Sequence, residues 1–405
     1  MLKKVAVNQL TVGIFVHGFD ESWLKHPFWR SKFLIEDAAT LQGVQASGIT
    51  HCWIDVSKGQ DVGPRTTPVA APAPAEKKSA PKKERVSLSQ ELQDAARLRQ
   101  RSAQTMRRLF AEVRLGNAIE PSECAALVDD VVESIDRHPD ALLSLARLKN
   151  ADEYTYMHSV AVCALMVSLG RQLGLNDDEC REAGMAGMLH DLGKAAMPQD
   201  VLNKPGKLTP EEFEIIKTHP VRGYEMLLDG AKVSDGVKDV CLHHHERYDG
   251  TGYPHKLVGE QISLLARMGA VCDVYDAVTS NRPYKSGWDP AYALSQMATW
   301  KGHFDVTVFQ TFVKSIGIYP TGSLVRMRSG RLAVVLEQNP ASLTKPRVKI
   351  FFSTKAGLPL EPQVLDLSAT HSADHIEARE NPENWNFPYL TELWDGDSAL
   401  KQARG

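Results

Sequence analysis

His244-His245-Glu246-Arg247-Tyr248-Asp249-Gly250-Thr251-Gly252-Tyr253-Pro254 sets two adjacent imidazoles and a carboxylate ahead of a turn punctuated by glycines. Adjacent imidazoles can serve two metal ions at once. A lone histidine is most often a core or surface residue with its hydrogen bonds satisfied, but seven of the fourteen histidines lie between residues 158 and 255. Upstream stand His158, His190-Asp191 followed by Leu192-Gly193-Lys194, and His219, and Asp273 lies downstream. That concentration points to a metal cluster.

Length and composition set the frame around it. A chain of 405 residues, 43% hydrophobic and 24% charged, is too long for one core and predicts two to four domains of a soluble, globular protein. The longest strongly apolar stretch, Ser159 to Leu169, is too short for a bilayer span, and Met1-Leu2-Lys3-Lys4 is followed by polar Asn8-Gln9 where a signal peptide needs its apolar core. A cytoplasmic location is therefore expected. The six cysteines, Cys52, Cys124, Cys163, Cys180, Cys241 and Cys272, lack CxxC spacing and read as buried free thiols. A net charge of -3 gives no sign of a surface for a nucleic-acid polymer.

The fold class that follows is mainly α. A small α+β domain is expected over 1–60, with a hairpin in Val5 to Val16 turning near Val12-Gly13, a helix over Asp37 to Ser47 and a strand over Ile49 to Val56. Trp23, Trp29 and Trp53 are its expected core. His17, His26 and His51 lack carboxylates at ligand spacing. Residues 61–86, rich in Pro, Ala and Lys, read as a flexible linker. Ser87 and Gln90 fit a capping box that opens a helical connector over 87–148. In it Leu88, Leu92, Ala95, Leu98, Met106, Leu109 and Val113 form a thin apolar seam between Arg97, Arg99, Arg101, Arg107, Arg108 and Arg114. This reads as an amphipathic helix with a solvated basic face or, more sharply, as a dimerisation or signal-transmitting element. A homodimer or a signalling-protein partner would engage through it and the N-terminal domain.

Residues 149–320 have the pattern of a helical bundle. Met157 to Leu173 would carry His158 in its first turn, and Glu179 to His190 would deliver His190-Asp191 at its end. Pro210 to Leu228 would present His219, Val237 to His245 the histidine pair, and Ile262 to Thr279 Asp273. Ala183, Gly184, Ala186 and Gly187 permit close helix packing. Imidazoles and carboxylates on separate helices can converge in a bundle core. His158, His190, Asp191 and Asp273 would suffice for one ion, and His219, His244 and His245 for a second, with Asp191 bridging through its two oxygens. Ions roughly 3.5–4 Å apart share a hydroxide and clamp the attacking and leaving oxygens at phosphorus, so the reaction class is phosphoester hydrolysis. Nitrogen and oxygen donors without thiolate suit Fe, Mn, Ni or Zn, with Fe or Mn preferred here. Beyond Pro320, residues 321–405 read as a small β-rich extension with strands over Leu324 to Met327, Leu332 to Leu336 and Val348 to Phe352. Trp385 and Trp394 are expected to pack onto another domain.

The series His158, His190-Asp191-Leu192-Gly193-Lys194, His219, His244-His245-Glu246, Asp249-Gly250, Gly252-Tyr253-Pro254, Asp273 and Ser280-Asn281-Arg282-Pro283-Tyr284-Lys285 resembles the HD-GYP domain, a branch of the HD metal-dependent phosphohydrolases. The opening sequence around Trp23 to Trp29 and Trp53-Ile54-Asp55 is similar to an uncharacterised domain that commonly precedes it in Gram-negative bacteria. The resemblance implies hydrolysis of cyclic di-GMP to linear pGpG and onward to GMP. It implies metal ligands at His158, His190, Asp191, His219, His244, His245 and Asp273, with Asp191 and Lys194 as the catalytic pair. Substrate contacts fall on Lys194, Arg282 and Lys285, cations suited to the phosphates, and on Tyr253, which could instead order its loop. Some members hold a third metal through a glutamate four residues before the first histidine. Tyr154 stands there, with Glu153 one place off register, so two divalent ions are expected. Glu246 and Asp249 read as residues that orient the imidazoles. A mixed cyclic dinucleotide such as cyclic GMP-AMP is the alternative substrate, and a non-catalytic cyclic di-GMP-binding effector the alternative class. The complete ligand set argues against the effector.

Overall fold

Cys52 and Ile54 are buried while Trp53 between them is 38% exposed, the alternation that a strand imposes on successive side chains. Trp53 therefore lies off the core that the sequence assigned to it. The computed structural model describes residues 2–19, 33–35, 38–46, 51–60, 88–117, 121–146, 154–204, 206–228, 232–280, 287–339, 341–369, 374–390 and 392–395. The linker expected over 61–86, Trp23, Trp29, His26, Ser87, Glu153, Arg282 and Lys285 lie outside these residues.

The chain divides into two compact units between Lys82 and Lys83. In the first, β1 (Leu2–Ala6), β2 (Phe15–Phe19), β3 (Phe33–Leu34) and β4 (His51–Asp55) form an antiparallel sheet in the order β1-β4-β2-β3, joined by helix α1 (Ala38–Ala46). The hairpin expected over Val5 to Val16 does not form. β4 inserts between its two arms, pairing Val5 with Cys52 on one side and Val16 with Ile54 on the other. The nonlocal pairing buries Val5, Ile14, Val16, Ile35, Cys52 and Ile54 together.

The second unit begins with α2 (Leu88–Arg114), α3 (Pro121–Arg137) and α4 (Pro139–Ala146), which pack against one another and on α5 (Tyr154–Leu173). Leu92, Ala95, Leu98, Met106, Leu109 and Val113 are all buried, so the seam of α2 is occupied within the chain rather than offered to a second copy. α5 is apolar on every side, with Val160 to Val167 buried throughout, and such a helix belongs at the centre of a bundle. α6 (Asp177–Leu189) crosses it closely. Asn176 caps α6 by accepting from Asp178 N and Glu179 N, both at 3.0 Å, while Glu179 accepts from Asn176 N. A Cβ on Gly187 would stand 2.8 Å from the Cys163 backbone, which is why the contact requires glycine.

α7 (Gln199–Leu202), α8 (Pro210–Ile216), α9 (His219–Leu228), α10 (Asp235–His243), α11 (Leu264–Thr279), α12 (Pro290–Met297) and α13 (Val306–Ile316) follow. The single helix expected over Pro210 to Leu228 is two. Pro220 has no N–H to reach back to Ile216 O, so the ladder breaks just before it. The C-terminal sheet has five strands, β5 (Leu324–Met327), β6 (Arg331–Glu337), β7 (Arg347–Ser353), β8 (Leu358–Asp366) and β9 (Ile376–Arg379), in the order β8-β7-β6-β5-β9. Trp385 and Trp394, the latter on α14 (Glu392–Asp395), pack on this sheet's own Leu324, Leu332, Val334 and Phe351 rather than on another domain. All six cysteines are buried free thiols. No helix among the described residues is long and apolar enough to cross a membrane.

Candidate metal centre

Every expected ligand side chain reaches one region of the bundle core. His158 sits one turn into α5, His190 caps α6 with Asp191 after it, His219 opens α9, His244 and His245 follow α10, and Asp273 lies within α11. They form two groups, Asp191-His219-His244-His245 and His158-His190-Asp273, with the ligand atoms of each group within 4.8 Å of one another.

The outward nitrogen of four rings is fixed by the protein. His190 Nδ1 donates to Gly187 O at 2.8 Å, His219 Nδ1 to Ile216 O at 2.7 Å, and His244 Nδ1 to Val240 O at 3.0 Å. Ile216 O is the carbonyl that Pro220 cannot engage, so the helix break both positions His219 and supplies its acceptor. His158 Nδ1 donates to Asp276 Oδ2 at 2.6 Å. With each Nδ1 committed, the four Nε2 atoms turn inward in pairs, His158 to His190 at 3.2 Å and His219 to His244 at 3.3 Å.

Asp191 lies between the pairs. Its Oδ2 is 3.3 Å from His158 Nε2 and 3.4 Å from His190 Nε2, and its Oδ1 is 3.2 Å from His219 Nε2 and 3.7 Å from His244 Nε2. Asp273 Oδ1 stands 3.0 Å from His158 Nε2, and its Oδ2 3.7 Å from His245 Nδ1. Asp191 Oδ1 is buried without a hydrogen-bond donor. Two close pairs of lone-pair nitrogens around an orphaned carboxylate oxygen fit divalent cations, because a cation satisfies all of these donors at once.

Electrostatics agree. Burial opposes ionisation of Asp191 and Asp273, yet Lys194 and His190 around the first and His158 and His245 around the second hold both well below the usual carboxylate range. Burial, reinforced by the neighbouring histidines, keeps His244 far below its ordinary value, and burial pushes His245 down to about 3. Both are neutral, as ligation requires. His158 differs: burial would lower it, but hydrogen bonds to Asp191, Asp273 and Asp276 carry it up to about 10. Without a cation the carboxylates hold a proton there, and a metal would displace it.

Lys194, on the short turn Leu192–Ala196, pairs with Asp191 Oδ2 at the rim of the cluster. Tyr253 stacks on His245 with ring centroids 4.8 Å apart, and the Lys217 ammonium covers its ring at 5.6 Å. Gly252 is obligatory here, since a Cβ would meet Arg247 N at 2.3 Å. Glu246 and Asp249 do not orient imidazoles. Glu246 accepts from His255 N and Leu257 N, and Asp249 from Thr251 N and its hydroxyl, so both shape the loop. The residue that orients a ligand ring is Asp276, absent from the sequence reading. Its signal was a second aspartate three places after Asp273, on the same face of an otherwise apolar helix. Asp276→Asn should weaken metal retention about 10–100-fold, as loss of a carboxylate behind a histidine ligand does, without loss of helix. Chelator competition followed by metal analysis, beside circular dichroism, checks this, and an unchanged chelator midpoint would refute it.

A family model described as HD domain matches residues 131–308, and one described as a domain of unknown function, DUF3391, matches residues 2–124. The cyclic di-GMP phosphodiesterase PA4108 of Pseudomonas aeruginosa is 54% identical over 399 residues, 98% of this chain and 96% of its own length. The cyclic di-GMP phosphodiesterase response regulator RpfG of Xanthomonas campestris pv. campestris is 45% identical over 168 residues, 39% of this chain and 43% of its own. The 3'3'-cGAMP-specific phosphodiesterase 2 of Vibrio cholerae is 35% identical over 153 residues, 37% of this chain and 29% of its own. Fold and centre together define a hydrolase of the HD-domain class. The chain belongs to the HD-GYP family of that class, in the arrangement with DUF3391 at the N-terminal side.

Proposed function

We propose that the protein is a metal-dependent phosphodiesterase that hydrolyses cyclic di-GMP to pGpG, to GMP or to both, lowering the concentration of that messenger. The observation that carries the chemistry is the pairwise convergence of the Nε2 atoms of His158 with His190 and His219 with His244 about the two oxygens of Asp191. The substrate rests on likeness over nearly the whole chain to a relative named for that activity. In this reading His158, His190 and Asp273 hold one divalent ion, His219, His244 and His245 the other, and Asp191 bridges. When bound, such ions supply Lewis-acid polarisation of the phosphoryl group and lower the pKa of water. The donor set, all imidazole and carboxylate, suits Fe, Mn, Ni or Zn, and of these iron or manganese is the proposed pair.

The chain's own residues do the rest. Lys194 supplies a fixed positive charge beside Asp191 for a phosphate oxygen, and Arg282 and Lys285 are proposed to add two more. Tyr253, stacked on His245, holds that ring in place and is proposed to contact the substrate. Metal analysis of anaerobically purified protein should give about two ions per chain, and chelator treatment should remove activity that Fe2+ or Mn2+ restores. Occupancy near three, or full activity without metal, would overturn the assignment. Cyclic GMP-AMP is a second reading, favoured by the Vibrio cholerae relative named for that substrate. Competition between the two cyclic dinucleotides, followed by product chromatography, decides between them.

A further inference from the structure

Asp239, His243 and His255 form a second polar chain that the hydrolytic centre does not use. Asp239 lies one turn before His243 on α10, accepts from the Ser263 hydroxyl, and has its Oδ1 2.7 Å from His243 Nδ1. Burial would raise this carboxyl, but the hydrogen bonds from His243 and Ser263 hold it below its ordinary value. With His243 Nδ1 against this carboxylate, Nε2 is the nitrogen turned away from it. That nitrogen faces His255 Nδ1 at 2.9 Å, with the ring centroids 5.2 Å apart. His255 is exposed, two residues beyond Tyr253, and its backbone N–H is fixed by buried Glu246 at 2.6 Å.

We propose that His243 and His255 bind a third divalent ion, of the Zn2+ class, outside the hydrolytic pair, completed by water and fastening the Tyr253 loop to α10. A carboxylate behind a histidine is the arrangement by which proteins orient imidazole ligands, and here the other nitrogen faces a second histidine. Two imidazole nitrogens with a solvent-open side suit Zn2+, Ni2+ or Cu2+ better than the hard cations Mg2+ and Ca2+. The site stands whichever cyclic dinucleotide is hydrolysed, because neither His243 nor His255 is among the seven residues assigned to the hydrolytic ions.

Zn2+ uptake by protein already holding its hydrolytic ions, measured by equilibrium dialysis and metal analysis, tests the proposal. Wild-type protein should take up one equivalent more than His255→Ala, and exchange at the hydrolytic centre, common to both, cancels in the difference. Asp239→Asn should retain the site with affinity lowered about 10–100-fold. His255→Cys should restore uptake, since a thiolate also ligates zinc. Equal uptake by wild type and His255→Ala would overturn the proposal, leaving a simple N–H···N hydrogen bond. Uptake lost in His255→Ala and not restored by His255→Cys would also overturn it, by showing that the loss came from a distorted loop.

Discussion

Asp191→Ala is expected to abolish hydrolysis while the helices stay folded. Asp191 is 1% exposed and has one oxygen turned to each pair of imidazoles. Its removal leaves four inward lone pairs with no shared anion, and leaves Lys194 without its partner. A residue behind a ligand costs roughly 10–100-fold when lost, so a carboxylate serving both ions should cost well over that, on the order of 10³-fold or more in turnover. The fold should persist because the apolar faces of α5, α6 and α11 are buried independently of this carboxylate. Metal content should fall from about two to one or fewer. Turnover of cyclic di-GMP with added Mn2+ or Fe2+, read beside helical circular dichroism, checks the expectation. Near wild-type turnover would show that the bridge is misassigned. Asp191→Asn, which keeps the shape and removes the charge, should fail as badly, because the charge is what compensates the cations.

The ligands were legible in the sequence for a chemical reason. Histidines and aspartates in apolar helices have few uses, so His158, His190-Asp191, His219, His244-His245 and Asp273 stood out by type and order. Geometry that depends on what a residue lacks was harder to see. Pro220 divides an apparently continuous helix, and only the structure shows that the freed Ile216 carbonyl then fixes His219. Asp276 was hidden because a carboxylate acting through His158 carries no motif of its own. The N-terminal hairpin failed because strand order is set by pairing with β4, which lies about 35 residues downstream of β2. β8 was missed because Pro359 and Pro362 argue against a strand, yet an edge strand tolerates proline where its N–H would face outward. Glu246 and Asp249 were given an orienting role because the motif places them beside ligands, whereas hydrogen bonding within the loop decides what they hold.

Gly193→Ala should be nearly as damaging as the loss of Asp191, by a different route. A Cβ on Gly193 would stand 1.9 Å from His219 O and 2.5 Å from Gly223 N, both backbone atoms that no rotamer change can move aside. The turn carrying Lys194 and the start of α9 would have to separate, at a cost at or above the ~1–3 kcal/mol typical of overpacking. Separation acts directly on the site, because His219 Nε2 is held 3.2 Å from Asp191 Oδ1 across that same contact. The ion assigned to His219, His244 and His245 should therefore be lost first, while the group His158, His190 and Asp273, built on α5, α6 and α11, keeps its own. Gly223→Ala should be milder, since its Cβ would meet the Cys241 sulfur at 2.6 Å and the Gly193 backbone only at 2.9 Å. Melting curves and metal analysis of the two variants give the test: both lowered, with Gly193→Ala lowered more and holding about one ion. Two ions and a wild-type melting temperature in Gly193→Ala would show that the turn can retreat from α9 without disturbing His219, and the close backbone approach would then have no part in building the centre.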